Sequence, residues 1–447
     1  MGRASHQRAL ELWANGEHVA TWRLPTRGPM ELVYTESWLS SERARPLSLS
    51  LPFGVRGAAQ LGERVENFFR NLLPDSEATR QRLARRFRVG STEAFDLLEA
   101  VGRDCVGALQ ILPPGAEPVG WNQVLCRPLS EADVAAHLRH SSTATVLGAP
   151  EEQDDFRISL AGAQEKSALL WHEGRWCLPQ GATPTTHIMK LPLGTVGQSV
   201  RVDMSTSVEN EWLCAQILRA YGLDVARSSI GRFEDQKVLI VERFDRQWAT
   251  DRSWIARLPQ EDFCQANGLP PSFKYEEDGG PGFGLIAEQL RHSAMAEKDR
   301  QDFLSCQVLF WMLAAIDGHT KNFSLRLLPQ GRYRLTPIYD VLSAWPVVGN
   351  GREQWSKHKL KISMAVVGHN RHYHWLQIQR RHFNHMARQH GYSQGAEELI
   401  QALIERTPRV VAEVSQQLPA DFPSGLANAI FHGLSSSAQM LSRMPPD

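Results

Sequence analysis

Residues 314–325 read "AAIDGHTKNFSL" and end a strongly apolar run with an aspartate, a histidine, a lysine and an asparagine inside six positions. The run itself, "DFLSCQVLFWMLAAI" (302–316), is apolar on nearly all sides, which predicts a helix buried in a large helical lobe. Asp317 follows directly. The chain continues "GHTKNFSLRLLPQGRYRLTPIYDV", which reads as a strand at 323–328, a turn at 329–331, a strand at 332–338 and then Asp340. Two aspartates and an asparagine thus flank one β-hairpin. Phosphoryl transfer uses such an arrangement, because the attacking hydroxyl needs a carboxylate beside it while nucleotide-bound metal ions need other oxygen ligands. In protein kinases the catalytic aspartate and the metal-binding asparagine stand five positions apart, as Asp317 and Asn322 do. The same spacing arises when an aspartate caps a loop and an asparagine opens a turn. The buried helix before the pair and the second aspartate after it favour the catalytic reading.

Working outward, a kinase needs a lysine on a small β lobe for the nucleotide phosphates and a hinge strand for the adenine. Lys190 ends the strand "THIMKLP" (186–192), where a charge amid apolar residues needs a reason; a lysine at an exposed strand edge is the plain alternative. "KVLIVERF" (237–244) reads as a buried strand after which the pattern changes to helix, so Glu242, Arg243 and Phe244 form the natural hinge. The glycine-rich G-x-G-x-x-G loop of protein kinases is missing. "SLAGAQEKS" (159–167) is the replacement, in which small residues at Ala161, Gly162 and Ala163 let backbone N–H groups approach phosphate and Lys166 adds charge. Alone, that loop is a weak signal.

Composition bounds the rest. A chain of 447 residues with 42% hydrophobic and 22% charged residues is long enough for two or three globular domains. Lys plus Arg equals Asp plus Glu (49 each), so net charge announces neither a nucleic-acid nor a membrane partner. The six cysteines show no C-x-x-C spacing, which argues against a zinc site or a disulfide framework and fits a reducing cytoplasm. The start lacks an apolar signal region and "VLFWMLAAI" is too short to cross a bilayer, so neither export nor a membrane span is expected.

Three domains are expected. Residues 1–150 form an N-terminal module that opens with a hairpin around Asn15-Gly16 and continues as helices over 64–103, with Arg80, Arg82, Arg85, Arg86 and Arg88 on a solvated helix face. The Pro-, Gly- and acid-rich "LGAPEEQDD" (147–155) marks its end. Residues 151–250 carry the phosphate loop, strands around Glu173-Gly174, and a helix in "STSVENEWLCAQILRAYGLD" with a capping box from Thr206 to Glu209 and a stop at Gly222. Residues 251–447 form a mainly helical lobe with the catalytic hairpin.

"ISLAGAQEKSALL", "HIMKLP", "VERFDR", "RLPQEDFCQANGLPPSFKYEEDGGPG", "IDGHTKNFSL" and "RLTPIYDVLSA", in this order, resemble the HipA family, the serine/threonine-kinase toxins of bacterial toxin–antitoxin pairs. The resemblance spans essentially the whole chain. It implies an α+β, two-lobe, PI3/4-kinase-like variant of the protein-kinase fold, with an extra N-terminal β/α module and a mainly helical C-terminal lobe. ATP and magnesium are the implied requirements, and a DNA-binding HipB-like antitoxin on operator DNA the implied partner. On this sequence Asp317 becomes the general base, Asn322 and Asp340 the magnesium ligands, and Lys190 a phosphate contact. Ala161, Gly162, Ala163, Gln164, Glu165 and Lys166 become the phosphate loop, Glu242, Arg243 and Phe244 the hinge, and His319, Lys321 and Tyr339 further nucleotide contacts. Ser159 matches the serine that family members autophosphorylate, where added charge repels ATP. The implied substrate is an aminoacyl-tRNA synthetase, glutamyl-tRNA synthetase first, whose modification stops translation and gives growth arrest and drug tolerance. A small-molecule phosphotransferase of the same lobe plan and a catalytically idle corepressor are the alternatives.

The segment 357–390, "KHKLKIS…HNRHYHWLQIQRRHFNHMARQH", is dense in Lys, Arg and His within a neutral protein. It reads either as a solvated face or as a face turned toward DNA, with Arg380, Arg381 and Arg388 as candidate phosphate contacts.

Overall fold

The Asn15-Gly16 pair makes the predicted turn: both residues have positive φ (49° and 81°), as a type I′ turn requires, between strands Arg8–Ala14 and Glu17–Leu24. A Cβ on Gly16 would meet the Trp121 indole at 2.2 Å, so packing as well as φ demands glycine. In this computed structural model, which describes residues 8–142, 164, 166–197 and 200–446, the hairpin is the centre of a five-stranded antiparallel sheet. Its order is Gln60–Leu61, Glu31–Tyr34, Glu17–Leu24, Arg8–Ala14, Gln110–Leu112. Alternate residues Leu10, Leu12 and Ala14 point inward, and Trp22 stacks on Phe69 from helix Glu63–Arg70 and tilts against Phe95 from helix Ala94–Val101. The arginine-rich helix Glu77–Arg86 buries only Ala84, leaving its polar face to solvent.

A second, six-stranded antiparallel sheet runs Ser228–Phe233, Gln236–Glu242, His187–Lys190, Lys166–His172, Arg175–Pro179, Cys126–Pro128. The last strand corrects the expected boundary near 150. Cys126–Pro128 pairs with Arg175–Pro179, and helix Glu131–Ser142 supplies Val134, Ala135 and Leu138 to a core shared with Leu169, Met189 and Val238. The N-terminal module therefore closes near residue 112. Composition marked the acidic loop, but a three-residue strand gives no periodicity from which its partner could be read. Helix Ser207–Ala220 packs on the same sheet. Its expected capping box does not form: Thr206 is the N-cap without a side-chain bond, while Glu209 pairs with Lys237. Gly222, at φ 92°, ends it as expected.

The third body is built on helix Ala296–Met312, whose residues from Phe303 to Met312 are all buried. Helices Phe283–Leu290, Arg380–Gln389, Glu397–Ser415 and Ser424–Arg443 surround it in one apolar core. The predicted hairpin is present as Ser324–Leu327 and Tyr333–Leu335, with Gln260–Asp262 as a third strand. A second hairpin, Lys361–Val367 with Arg371–His374, was hidden in the basic segment because its buried strand is flanked by charge. Among the described residues no helix is long and apolar enough to cross a membrane.

Candidate active site

Strand His187–Lys190 lies inside its sheet and delivers Lys190 to the cleft between the two larger lobes. The Lys190 ammonium donates to Glu211 Oε1 at 2.7 Å and to Asp340 Oδ1 at 2.6 Å. Lys190 and Glu211 side chains are each only 8% exposed, so this is a buried ion pair, for which loss of one partner typically costs about 3–5 kcal/mol. Burial opposes the charge on Lys190, but Asp340 and Glu211 outweigh it and hold the ammonium above its ordinary pKa. Loss of solvent would raise Asp340, yet Lys190 and Lys166 hold it well below the usual carboxylate range. Burial raises Glu211, and Lys190 offsets this only in part. Asp340 adopts φ 61°, a left-handed conformation unusual for a non-glycine residue and of the kind that gathers at functional sites.

Lys166 stands opposite Lys190 across neighbouring strands. Burial, then Lys190, pushes its pKa down to about 8, and among the described residues its ammonium has no bonded partner. An anion placed here would relieve that charge.

After helix Ala296–Met312 the chain reverses at Ala314 (φ 48°) and presents Asp317 on the surface. The Asn322 amide nitrogen donates to the backbone carbonyls of Asp317 (2.9 Å) and Asp340 (3.4 Å), tying the two acids' segments together and leaving its oxygen for another ligand. Asp317 Oδ1 accepts from the Tyr275 hydroxyl at 2.7 Å. His319 is buried beside them; burial lowers its pKa, and among the described residues its Nδ1 has no partner.

Other expected contacts lie elsewhere. The Lys321 ammonium bonds Asp262 (2.8 Å) and Asn71 (2.7 Å), so it braces the 320–322 turn against the N-terminal module. The Tyr339 hydroxyl is shared between the Lys321 carbonyl (2.8 Å) and Ser324 (2.6 Å), and only its ring, 5.6 Å from that of Phe244, faces the hinge. Arg243 is buried in the seam with the N-terminal module, bonded to Asp104, Asp245, Thr185 and the Cys105 carbonyl. At least three backbone groups of 242–244 are already used: the N–H groups of Glu242 and Arg243 donate to Arg227 and Thr186, and Phe244 accepts from Arg326. Gln164 donates to the Leu191 carbonyl (2.6 Å). Ser159, Ala161, Gly162, Ala163 and Glu165 lie outside the described residues. Arg380 is buried against Glu397, Gln401 and the Leu441 carbonyl, so it is no DNA contact; Arg381 and Arg388 are exposed. As first residue of its helix, Arg380 points back into the lobe.

Glu211 was missed. The signal was available: a kinase lysine takes a helical glutamate as partner, and Glu211 shares its helix face with the buried Cys214, Ala215 and Leu218 in the first helix after Lys190.

A small β lobe, a larger helical lobe, a lysine–glutamate pair and two acids joined by an asparagine define a two-lobe, protein-kinase-like molecule of α+β class. A family model described as the HipA-like C-terminal domain matches residues 158–411, and one described as the HipA N-terminal domain matches residues 10–112. The chain belongs to the HipA family of kinase toxins. It is 36% identical over 344 residues to a putative kinase, Y4mE, of Sinorhizobium fredii, covering 75% of this chain and 77% of that protein. It is 28% identical over 347 residues to the serine/threonine-protein kinase toxin HipA of Shewanella oneidensis, covering 74% and 72%. A solved structure of Shewanella oneidensis HipA with HipB and operator DNA has the same fold, with a TM-score of 0.77 over 96% of each chain at 23% identity.

Proposed function

We propose that this chain is the toxin of a toxin–antitoxin pair and an ATP- and magnesium-dependent serine/threonine-protein kinase of the cytoplasm. The observation that carries this is the buried contact of Lys190 with both Glu211 and Asp340, beside an asparagine that links Asp340 to Asp317. Asp317, exposed at the mouth of the cleft, takes the proton of an acceptor hydroxyl. Lys190 and Lys166 meet the nucleotide phosphates, and residues 161–166 and 242–244 are the proposed phosphate loop and hinge.

The donor set fits magnesium. Asp340 Oδ2 and Asn322 Oδ1 are hard oxygens, and among the described residues no group of three or more His, Cys, Asp or Glu is built to hold a metal unaided. One or two protein oxygens completed by substrate phosphates is how magnesium is usually bound in kinases. Its chemistry there is to neutralise charge on the transferring phosphoryl group.

The acceptor class follows the Shewanella oneidensis relative, named as a serine/threonine-protein kinase. Within it we place an aminoacyl-tRNA synthetase, glutamyl-tRNA synthetase first, with autophosphorylation at Ser159 as the off-switch. A HipB-like antitoxin on operator DNA is the proposed partner, by analogy with the solved HipA–HipB–DNA complex. Incubation with γ-labelled ATP, magnesium and purified synthetases tests this: label on the glutamyl enzyme and on Ser159 is expected. Label on neither, from protein that arrests growth, overturns the substrate and the self-inactivation.

A further inference from the structure

The longest sequence motif, residues 257–282, supplies nothing to phosphate or metal, yet its middle reaches the base. The Tyr275 hydroxyl donates to Asp317 Oδ1 at 2.7 Å. Its ring stands edge-on to His319 with centroids 5.3 Å apart, and the Lys274 ammonium lies 5.3 Å from the ring centre. The tyrosine is fixed from both sides. Before it, the Lys274 carbonyl accepts from the N–H (3.2 Å) and hydroxyl (2.8 Å) of Thr320, and the Lys274 ammonium reaches Asp75 of the N-terminal module at 3.1 Å. After it, Glu276 accepts from the Ala365 N–H at 2.7 Å. The loop turns back so tightly that a Cβ on Gly280 would lie 2.0 Å from the Phe273 carbonyl oxygen. Asp317 itself is exposed, and among the described residues its Oδ2 has no partner. One carboxylate oxygen is therefore held by an immobilised donor while the other is open.

We propose that Tyr275 is a positioning residue for the base: by holding Oδ1 it fixes the rotation of the Asp317 carboxylate and leaves Oδ2 for the acceptor hydroxyl. The proposal rests on Asp317 being that base. Burial, then the Asp317 charge, pushes the Tyr275 phenol above its ordinary pKa, so it stays protonated and donates. The acceptor's proton passes to Asp317 Oδ2 as the acceptor oxygen bonds to the γ-phosphorus and the bond to the ADP oxygen breaks. Tyr275 keeps its own proton throughout.

The test uses the full chain as wild type, Tyr275→Phe, Asp317→Asn and the double variant. Rates of label transfer from γ-labelled ATP into total soluble protein of the host cell are measured over a range of ATP, with thermal midpoints alongside. Tyr275→Phe keeps the ring on His319 and Lys274 and removes only the donor. Its kcat should fall roughly 10- to 100-fold, the rate equivalent of a hydrogen bond to a charged group, with the KM for ATP and the midpoint unchanged. The double variant should be no slower than Asp317→Asn, because the hydroxyl acts through the carboxylate. Wild-type or faster transfer by Tyr275→Phe, with Asp317→Asn inactive, overturns the positioning role and leaves the base standing. A loss in ATP KM or midpoint instead of kcat makes the hydroxyl structural and overturns it equally. Activity retained by Asp317→Asn overturns the base and the proposal together.

Discussion

Lys190 is one cation between two carboxylates, and the two do different work. Asp340, one-third exposed, faces the cleft, whereas Glu211 is sealed behind the lysine. Glu211 therefore sets where the ammonium sits and, in the proposed reading, leaves the nucleotide phosphates to Lys190. Glu211→Gln keeps shape and a hydrogen-bond acceptor but removes a charge, so Lys190 should be drawn toward Asp340. Label transfer should drop about 10- to 100-fold, since loss of a charge-assisted bond is worth roughly 1.5–3 kcal/mol, while magnesium–ATP binding by calorimetry should weaken far less. Equal losses in both would place Glu211 in binding itself. Asp317, Asn322 and Asp340 were legible because a hairpin fixes their spacing along the chain. Glu211 and Tyr275 were not, because each meets its partner across a distance in sequence that no local spacing encodes.

At the scale of elements, the proposed catalytic loop is a short 3-10 turn, Thr320–Asn322, with too few internal bonds to hold its own shape. Thr320 and Lys321 tie the turn to residues 262–274 and to the N-terminal module. Lys321 and Asp262 side chains are 4% and 10% exposed, so Lys321→Met leaves a buried carboxylate unpaired. The expected cost is about 3–5 kcal/mol in urea unfolding, together with loss of growth arrest; a change under 1 kcal/mol would deny the brace. Read from spacing alone, Lys321 fits a nucleotide contact as well as a strut, because a lysine's long stem reaches either side of a turn. In helix Arg380–Gln389 the ambiguity runs the other way: Arg381 and Arg388 share its exposed face and Arg380 does not. Replacing Arg381 and Arg388 by alanine should leave kinase activity and antitoxin binding intact. It should also make the salt slope of operator binding shallower by roughly one to two, at about 0.9 for each phosphate no longer neutralised. An unchanged slope assigns both to ordinary surface.

Across the whole molecule, the N-terminal module is joined to the kinase lobes through a buried charge cluster. Asp104 meets Arg243 at 3.2 Å, Arg246 at 2.9 Å and Arg257 at 3.4 Å, with Asp245 bonded to Arg243 at 2.8 Å. Burial alone would raise Asp104, but the three guanidinium groups hold it well below its ordinary 3.8. A folded pKa below the unfolded one means stability that is fully present above about pH 4 and is lost as pH falls toward the folded value. Asp104→Asn should therefore destabilise by about 3–5 kcal/mol at pH 7, and its difference from wild type should shrink steadily below about pH 4. Unfolding midpoints in urea at pH 7, 4 and 3 measure this; a difference independent of pH would mean that Asp104 acts by packing alone.

The two-lobe kinase plan came with the resemblance carried by six motifs spread along the chain, whereas the residues by themselves determined the first hairpin, the buried helix before Asp317 and the spacing of Asp317, Asn322 and Asp340. These are local properties, set by periodicity, turn chemistry and distance along one stretch of chain. Only the folded chain decided that Cys126–Pro128 and Glu131–Ser142 join the second sheet, that Lys190 pairs with Glu211, and that Arg243, Lys321 and Arg380 are struts. A long charged side chain can serve either solvent or a buried partner. Which one it serves depends on the desolvation and counter-charge supplied by segments far away in sequence.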